Sequence, residues 1–342
     1  PITLALSGLT AAGDKQEVPD HSLGKAWKIM TGGAVPSGYD SIIPVEDTMS
    51  KDKRVICYSA PKQFAHIRKS GEDFILGETI SKAGKIVNPN MIMALAALGI
   101  SEVNVYKKID IAVFSTGKEL IDDPEISLES GQIRNSNKPF ILNWLAGLPV
   151  NVIDAGTNRD NVEQFQLDLS RELEKKTDII ISSGAVSMGD FDFIPQAIKK
   201  LGGKIIFHKS KIKPGKPILF ATFPNGSFYF GLPGNPISAT IGLRFFVTSL
   251  IRNLFGLEQE KPITAISNSD YKKKQGFRSI LKATAKVNAQ AQLQVNILDG
   301  QESFKIQPLI NANGWAVIDE ELPHISKGDL INFYPNALYR EE

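Results

Sequence analysis

Between Ile109 and about Gly256 the chain alternates between short apolar runs and amphipathic ones, and no other feature constrains its fold as tightly. "IDIAVFST", "VNVIDAGTN", "DIIIS", "KIIFH" and "GSFYFGL" are short and apolar, and they read as buried strands. "NKPFILNWLAGL", "NVEQFQLDLSRELEKK", "FIPQAIKKLGG" and "ISATIGLRFFVTSLIRNLFG" read as helices. Strands alternating with helices predict a doubly wound, mostly parallel α/β sheet, because a parallel pair needs a crossover and a helix supplies it.

The flanking regions lack that rhythm. In residues 1–70, "KAWKIMTGGAVPSGYDSIIPVED" reads as a strand, a Gly/Pro-rich loop and a second strand, and "KRVICY" continues the β pattern. Residues 71–108 read as a connecting segment with one helix, "NMIMALAALG", opened by Asn88-Pro89 and closed by Gly99. Beyond the α/β region, "RSILKATAKVN", "AQLQVNIL", "ESFKIQPLI", "GWAVI" and "DLINFYP" read as strands of a small C-terminal barrel or sandwich. The expected class is multidomain α/β plus β, divided at 1–70, 71–108, 109–257 and 258–342.

Composition narrows the function. The 342 residues suffice for two or more domains. Lys plus Arg number 39 and Asp plus Glu 37, a formal charge of +2, which argues against a nucleic-acid or polybasic membrane binder. The one cysteine, Cys57, permits no disulfide within the chain and lies in an apolar strand pattern. The four histidines, at 21, 66, 208 and 324, have no metal-ligand spacing. No run approaches the ~20 apolar residues needed to span a bilayer, and no signal-peptide layout is present, so a cytoplasmic setting is expected. The start "PITLALSG" lacks an initiator Met and reads as a trimmed product or fragment.

In an open α/β sheet, ligands bind at the carboxyl ends of the strands. Three strand ends carry small polar residues. These are "STGKEL" (Ser115, Thr116, Gly117, Glu119), "SSGAVSMGDFD" (Ser182, Ser183, Gly184, Ser187) and "GLPGNPISA" (Pro233, Gly234, Asn235, Ser238). For one such loop, helix capping is the simpler account; three together point to an oxyanion ligand, nucleotide-like or pterin-like. Neither the Walker A motif nor the dinucleotide fingerprint occurs. Glu119, Asp190 and Asp192 lie in these loops, and Asp160 ends the "VIDAGTNRD" strand. Carboxylates beside a phosphate repel it unless a divalent cation bridges them, and Mg²⁺ suits that donor set. Asp160 also reads as a plain N-cap for the helix that follows it. In "KIKPGKP", Lys213 and Lys216 flank a Pro-Gly turn that can aim both ammonium groups at one anion.

Taken in order, "IMTGGAVPSGYDSIIPVED", "IRKSGEDF", "STGKEL", "GQIRNSN", "SSGAVSMGDFD", "KPGKP" and "GLPGNPISA" resemble the molybdopterin molybdenumtransferases of the MoeA type, a group that includes the C-terminal domain of gephyrin. The resemblance covers essentially the whole chain. It implies molybdate insertion into adenylated molybdopterin with Mg²⁺-assisted release of AMP, by an elongated homodimer. It implies Thr31, Gly32 and Asp73 as residues that face the partner's α/β domain, and Asp160 and Asp192 as the Mg²⁺ ligands. It assigns Glu119 to the reacting loop. Lys213, Lys216, Ser238 and Arg278 fall to molybdate, with Ser303 a weaker match. The serine and glycine loops fall to the pterin and the phosphates. The implied partners are a molybdopterin adenylyltransferase and the molybdoenzymes that receive the product.

The chain departs from the family pattern at Lys118, where Asp is usual, and at Ala185, where Gly is usual. The family's N-terminal stretch "DNSAMDGYA" is not in this sequence, which leaves open a folded but inactive chain or a weakened dimer. Two other readings remain beside the enzyme. A molybdopterin adenylyltransferase shares the α/β domain but needs neither β-rich flank nor Arg278. A gephyrin-like scaffold or anchoring protein could lose the acidic pair and both lysines, all of which this chain keeps.

Overall fold

The structure, a computed structural model, describes residues 1–19, 24–186 and 193–336. Contacts divide the chain into two compact units, Pro1–Lys82 and Ala83–Glu342.

The first unit is built on four strands, β1 (Ile2–Thr10), β2 (Lys25–Ile29), β3 (Thr48–Lys51) and β4 (Arg54–Cys57), in the order β2-β1-β4-β3. β1 runs parallel to β2 and antiparallel to β4. Asp52 and Lys53, both at positive φ, make the two-residue turn that joins β3 to β4. Cys57 is buried in β4, as its apolar pattern predicts. "SIIPVED" is not the expected strand. The loop runs on to Pro44, which has no N–H to give a ladder, and a short 3₁₀ turn at Val45–Asp47 leads into β3.

The second unit opens with α1 (Pro89–Ala97). The Asn88 side chain caps its start by accepting from the Met91 N–H at 2.9 Å. Gly99 closes it at φ +71°, with the Ile100 and Gly99 N–H groups donating to Leu95 and Ala96.

The α/β core contains β5 (Asp110–Thr116), the small pair β6 (Leu120–Ile121) and β7 (Ile133–Arg134), α2 (Asn137–Ala146), β8 (Asn151–Asn158), α3 (Val162–Glu174), β9 (Ile179–Ser183) and α4 (Ile194–Lys200). It continues through β10 (Lys204–His208), β11 (Ile212–Lys213), β12 (Leu219–Thr222), β13 (Phe228–Leu232), α5 (Pro236–Ile241) and α6 (Thr248–Leu254), the last two joined by a π turn at Gly242–Val247. The main sheet has the order β10-β12-β13-β9-β5-β8. β13, β9, β5 and β8 are mutually parallel, and β12 runs against both β13 and β10. The carboxyl ends of β8, β5, β9, β13 and β10 therefore share one edge. Ile111, Val113, Ile179, Ile181 and Leu232 form a core on one face with α2 and the Ile237–Ile251 helical run. Ile180, Phe165, Ile194 and Tyr229 form the core on the other. Burial of each such side chain contributes about 1.5–3 kcal/mol.

The last region contains β14 (Ile263–Ser267), β15 (Tyr271–Lys272), β16 (Arg278–Val287), β17 (Leu293–Ile297), α7 (Gln307–Asn311), β18 (Gly314–Ile318), β19 (His324–Ile325) and β20 (Leu330–Pro335). The sheet runs β11-β16-β17-β14-β20-β18, and β18 pairs back onto β16. Five strands thus close into a barrel, which leaves them without the exposed edge a sandwich would keep. "ESFKIQPLI" is not a strand: it is a loop followed by α7, with Pro308 in the helix's first turn.

Candidate functional site

The shared carboxyl edge of the sheet carries the three small-residue loops. Ser115 pairs with Thr157 and Ser183, and Leu232 with Ser183, so β8, β5, β9 and β13 end level. Beyond the strands the loops remain tied together. The Gly117 N–H donates to Asn158 O at 3.0 Å, the Gly184 N–H to Leu232 O at 2.9 Å and the Thr116 hydroxyl to Ser183 O at 3.2 Å. Gly184, at φ +105°, passes so close to β5 that a Cβ there would lie 2.2 Å from Thr116 O. Ala185 follows at φ +51°, a left-handed conformation that a side chain disfavours and that accounts for Gly being usual there.

The hydroxyls divide by depth. Ser115 and Ser182 are fully buried beneath the edge. The Ser182 hydroxyl lies 2.5 Å from that of Tyr229, whose phenol burial pushes above its ordinary range, so it stays protonated. The Ser115 hydroxyl has no hydrogen-bond partner among the described residues. Thr116 and Ser183 are nearly buried, and Ser183 accepts from the Asn137 side chain.

The acidic residues gather where β5 and β8 end. The Asp160 carboxylate accepts from the Lys118 N–H at 3.1 Å. Both Glu119 carboxylate oxygens lie 2.8 Å from where a Cβ on Gly117 would stand, so this group folds back over the β5 loop. Asp160 is not the helix cap. Asn161 is, its side chain accepting from the Gln164 N–H at 2.9 Å, while Asp160 sits at φ +58°. That frees the Asp160 carboxylate for the site.

Two residues not singled out from the sequence organise this edge. The Asn137 amide donates to Ser183 Oγ and to Gly234 O, both at 2.8 Å, and so joins the β9 loop, the β13 loop and the start of α2. Lys138, nearly buried, places its ammonium 3.2 Å from Asp122, 3.3 Å from Asp154 and 3.2 Å from the Thr157 hydroxyl. Burial pushes the Asp122 carboxyl up, but hydrogen bonds from Thr157, Asn135 and Lys138 outweigh it and hold the group below the ordinary carboxylate range. The only sequence signal was the "NSNK" stretch beside "GQIR": polar residues at the start of an otherwise apolar helix.

The cations lie at the other end of the same edge. The β10–β12 connection emerges there, five strand spacings from β8, on the order of 24 Å away. Within it, Ile212 and Ile218 are locked into a core with Ile237 and Ile241 of α5 and with Ile280, Trp315 and Val317 of the barrel. That core holds exposed Lys213 and Lys216 at the joint between sheet and barrel. Ile212 and Lys213 pair with Arg278 and Ser279, and the Lys216 ammonium lies 5.9 Å from the centre of the Phe277 ring. Arg278 thus starts the strand that pairs beside the Lys213–Lys216 turn. Arg278 is already paired, with Glu320 at 3.0 Å and Asp319 at 3.3 Å. Residues 184–186, which follow β9, lie toward this end. Val186 packs where a side chain on Gly231 would be, and its carbonyl accepts from His208 Nε2 at 2.9 Å.

Ser238 is nearly buried in α5. Pro233 and Gly234 lead into that helix, Asn235 stands at its N-cap, and the Ile237 N–H donates to Ser303 O at 3.0 Å. Ser303 therefore reaches the β13 loop from the barrel. In the first unit, Thr31 and Gly32 lie exposed in the loop after β2, and Asp73 is exposed in the segment after β4. Ser187, Asp190 and Asp192 lie outside the described residues. Among the described residues, no helix is long and apolar enough to cross a membrane.

Comparisons with known proteins agree along the whole chain. Residues 4–99 match the MoeA N-terminal region (domains I and II), 112–253 the "Probable molybdopterin binding domain", and 264–336 the MoeA C-terminal region (domain IV). A molybdopterin molybdenumtransferase of Haemophilus influenzae is 33% identical over 340 residues, covering 98% of this chain and 82% of the relative. One from Synechococcus elongatus is 32% identical over 326 residues, covering 93% and 78%. The crystal structure of the molybdopterin biosynthesis MoeA protein from Pyrococcus horikoshii superposes with a TM-score of 0.80 at 23% identity, covering 97% of this chain and 81% of that one. The last likeness shows the fold.

Proposed function

Because the chain belongs to the molybdopterin molybdenumtransferase family, enzymes of molybdenum cofactor biosynthesis, we propose that it inserts molybdate into adenylated molybdopterin and releases AMP. One observation carries this reading: a single sheet edge with carboxylates at one end and three cations at the other. An adenylated pterin carries its anionic diphosphate only a few bonds from the dithiolene, so the loops that bear the two sets of side chains must reach toward each other over the edge for one ligand to meet both.

Mg²⁺ binds one or two carboxylates and completes its shell with water and phosphate oxygens. Glu119 and Asp160 supply hard oxygens beside the main chain of residues 117–118. The residues fit the ion. Asp160 and Asp192 would hold it, and when bound it neutralises the diphosphate. Glu119 faces the same loop and orients the attacking oxygen. Ser183 and Thr116, fixed by Asn137 and by each other, define where the phosphates rest. Gly184 and Gly234 let them approach the main chain.

At the other end, Lys213, Lys216 and Arg278 receive molybdate, a tetrahedral dianion, with Ser238 and Ser303 close to the joint. Arg278 exchanges part of its pairing with Asp319 and Glu320 for the oxyanion. The chain works as a homodimer in the cytoplasm. Thr31, Gly32 and Asp73 of one protomer complete the partner's site, across a division at 1–70, 71–108, 109–257 and 258–342. A molybdopterin adenylyltransferase supplies the substrate and molybdoenzymes take the product. The test is to incubate the protein with adenylated molybdopterin, Mg²⁺ and molybdate and to measure AMP; no AMP above the molybdate-free control refutes the reading.

A further inference from the structure

Lys282 lies in the middle of β16 and is fully buried, yet none of the chemistry above uses it. Its ammonium donates to Gly300 O at 2.7 Å, Lys305 O at 3.0 Å and Glu302 O at 3.4 Å. Three donors meet three carbonyls of one loop, which uses the full donor complement of the ammonium. The same loop is stitched to the Lys282 main chain. Gln301 accepts from the Lys282 N–H at 3.0 Å and donates to Lys282 O at 2.9 Å. Burial pulls the Lys282 ammonium below its ordinary range, and the Glu302 carboxylate opposes that pull.

A barrel does not need this group. An apolar side chain would fill the space without the cost of desolvating a charge. What the charge secures is the path of residues 300–305, which includes the start of the "ESFKIQPLI" run. That path brings the Ser303 carbonyl to the Ile237 N–H at the start of α5, two residues beyond Asn235 and one before Ser238.

We propose that Lys282 is a positioning residue, a built-in cation that folds the 300–305 loop and through it sets Ser303 against the start of α5. The functional part of this inference rests on the proposed molybdate-inserting reaction; the positional part does not. Lys282 touches no substrate and acts through Ser303 and the α5 loop on the molybdate end of the site.

The test uses the full chain with Lys282→Met, and with Gln301→Ala as a variant that loosens the loop but leaves the ammonium. Two quantities are read: amide hydrogen exchange at Ile237 and residues 302–305 against β18 and β20, and the molybdate KM and kcat of AMP release. Lys282→Met is expected to raise exchange at Ile237 and in the loop at least tenfold, with β18 and β20 within twofold. It is expected to raise the molybdate KM at least tenfold with kcat within threefold. Gln301→Ala is expected to move both readouts in the same direction by less, and it decides the matter if Lys282→Met does not fold. Ile237 exchange within twofold of the parent overturns the clamp. Raised exchange with an unchanged molybdate KM overturns the positioning role and leaves Lys282 a structural residue. If the parent chain releases no AMP, the proposed function fails, while Ile237 exchange still decides the clamp.

Discussion

Substituting Gly184 by alanine tests how tightly the candidate site is packed. Gly184 has φ +105°, and a Cβ there would stand 2.2 Å from Thr116 O and 2.6 Å from Thr116 Oγ1. The first obstacle is backbone that cannot rotate away. Relief requires the loop to move by about 1 Å, because a carbon rests roughly 3.3 Å from a carbonyl oxygen. That motion breaks the Gly184 N–H bond to Leu232 O, at a cost of about 1 kcal/mol. Holding alanine at this φ adds about 1–3 kcal/mol. The sum is about 2–4 kcal/mol. Gly226 is the control: its φ is +94°, but nothing lies within 4 Å of its added Cβ. Gly226→Ala meets only the backbone term and should cost about 1–3 kcal/mol. Urea unfolding of the two variants should therefore differ by about 1 kcal/mol, and Gly184→Ala alone should lose AMP release. Equal losses in the two variants, or a Gly184→Ala cost below about 1 kcal/mol, would refute the packing argument.

Two further predictions concern the residues that organise the edge. Asn137→Asp removes both amide donors and sets a carboxylate oxygen against Gly234 O, so it should cost about 2–3 kcal/mol in urea unfolding, more than Asn137→Ala. The Asp122 carboxyl is held below its ordinary range in the fold, so its contribution is complete above the ordinary carboxylate range and is lost as pH falls through its folded value. An NMR titration should place its midpoint below that range, and Lys138→Met should move the midpoint up; an unmoved midpoint would remove Lys138 from the cause.

The sequence made the sheet legible because buried parallel strands are continuous apolar runs, and no other element leaves that mark at such lengths. It made the loops legible because small residues at several strand ends are hard to explain by capping alone. The α1 start and stop were readable from Asn88-Pro89 and Gly99, whose roles are local. Three features escaped because they depend on tertiary partners. Asp160 reads as a cap until Asn161 is seen to take that role. The run "ESFKIQPLI" reads as a strand, but its first residues lie in a loop whose carbonyls the buried Lys282 ammonium holds. Asn137 is one polar residue among many until it is found between Ser183 and Gly234. The cations were readable as a pair around Pro-Gly. Their distance from the acidic residues was not, because strand order sets it and the sequence lists strands only in chain order.

The separation between the two ends of the edge yields the most direct measurement: AMP release as a function of molybdate concentration, in Asp160→Asn and Lys213→Ala beside the parent. An acidic end that serves cleavage and a basic end that receives the oxyanion predict different failures. Asp160→Asn should abolish AMP release at every molybdate concentration, and Lys213→Ala should raise the half-saturating concentration at least tenfold while release at saturation recovers. AMP release that ignores molybdate, or two variants that fail in the same way, would contradict the account.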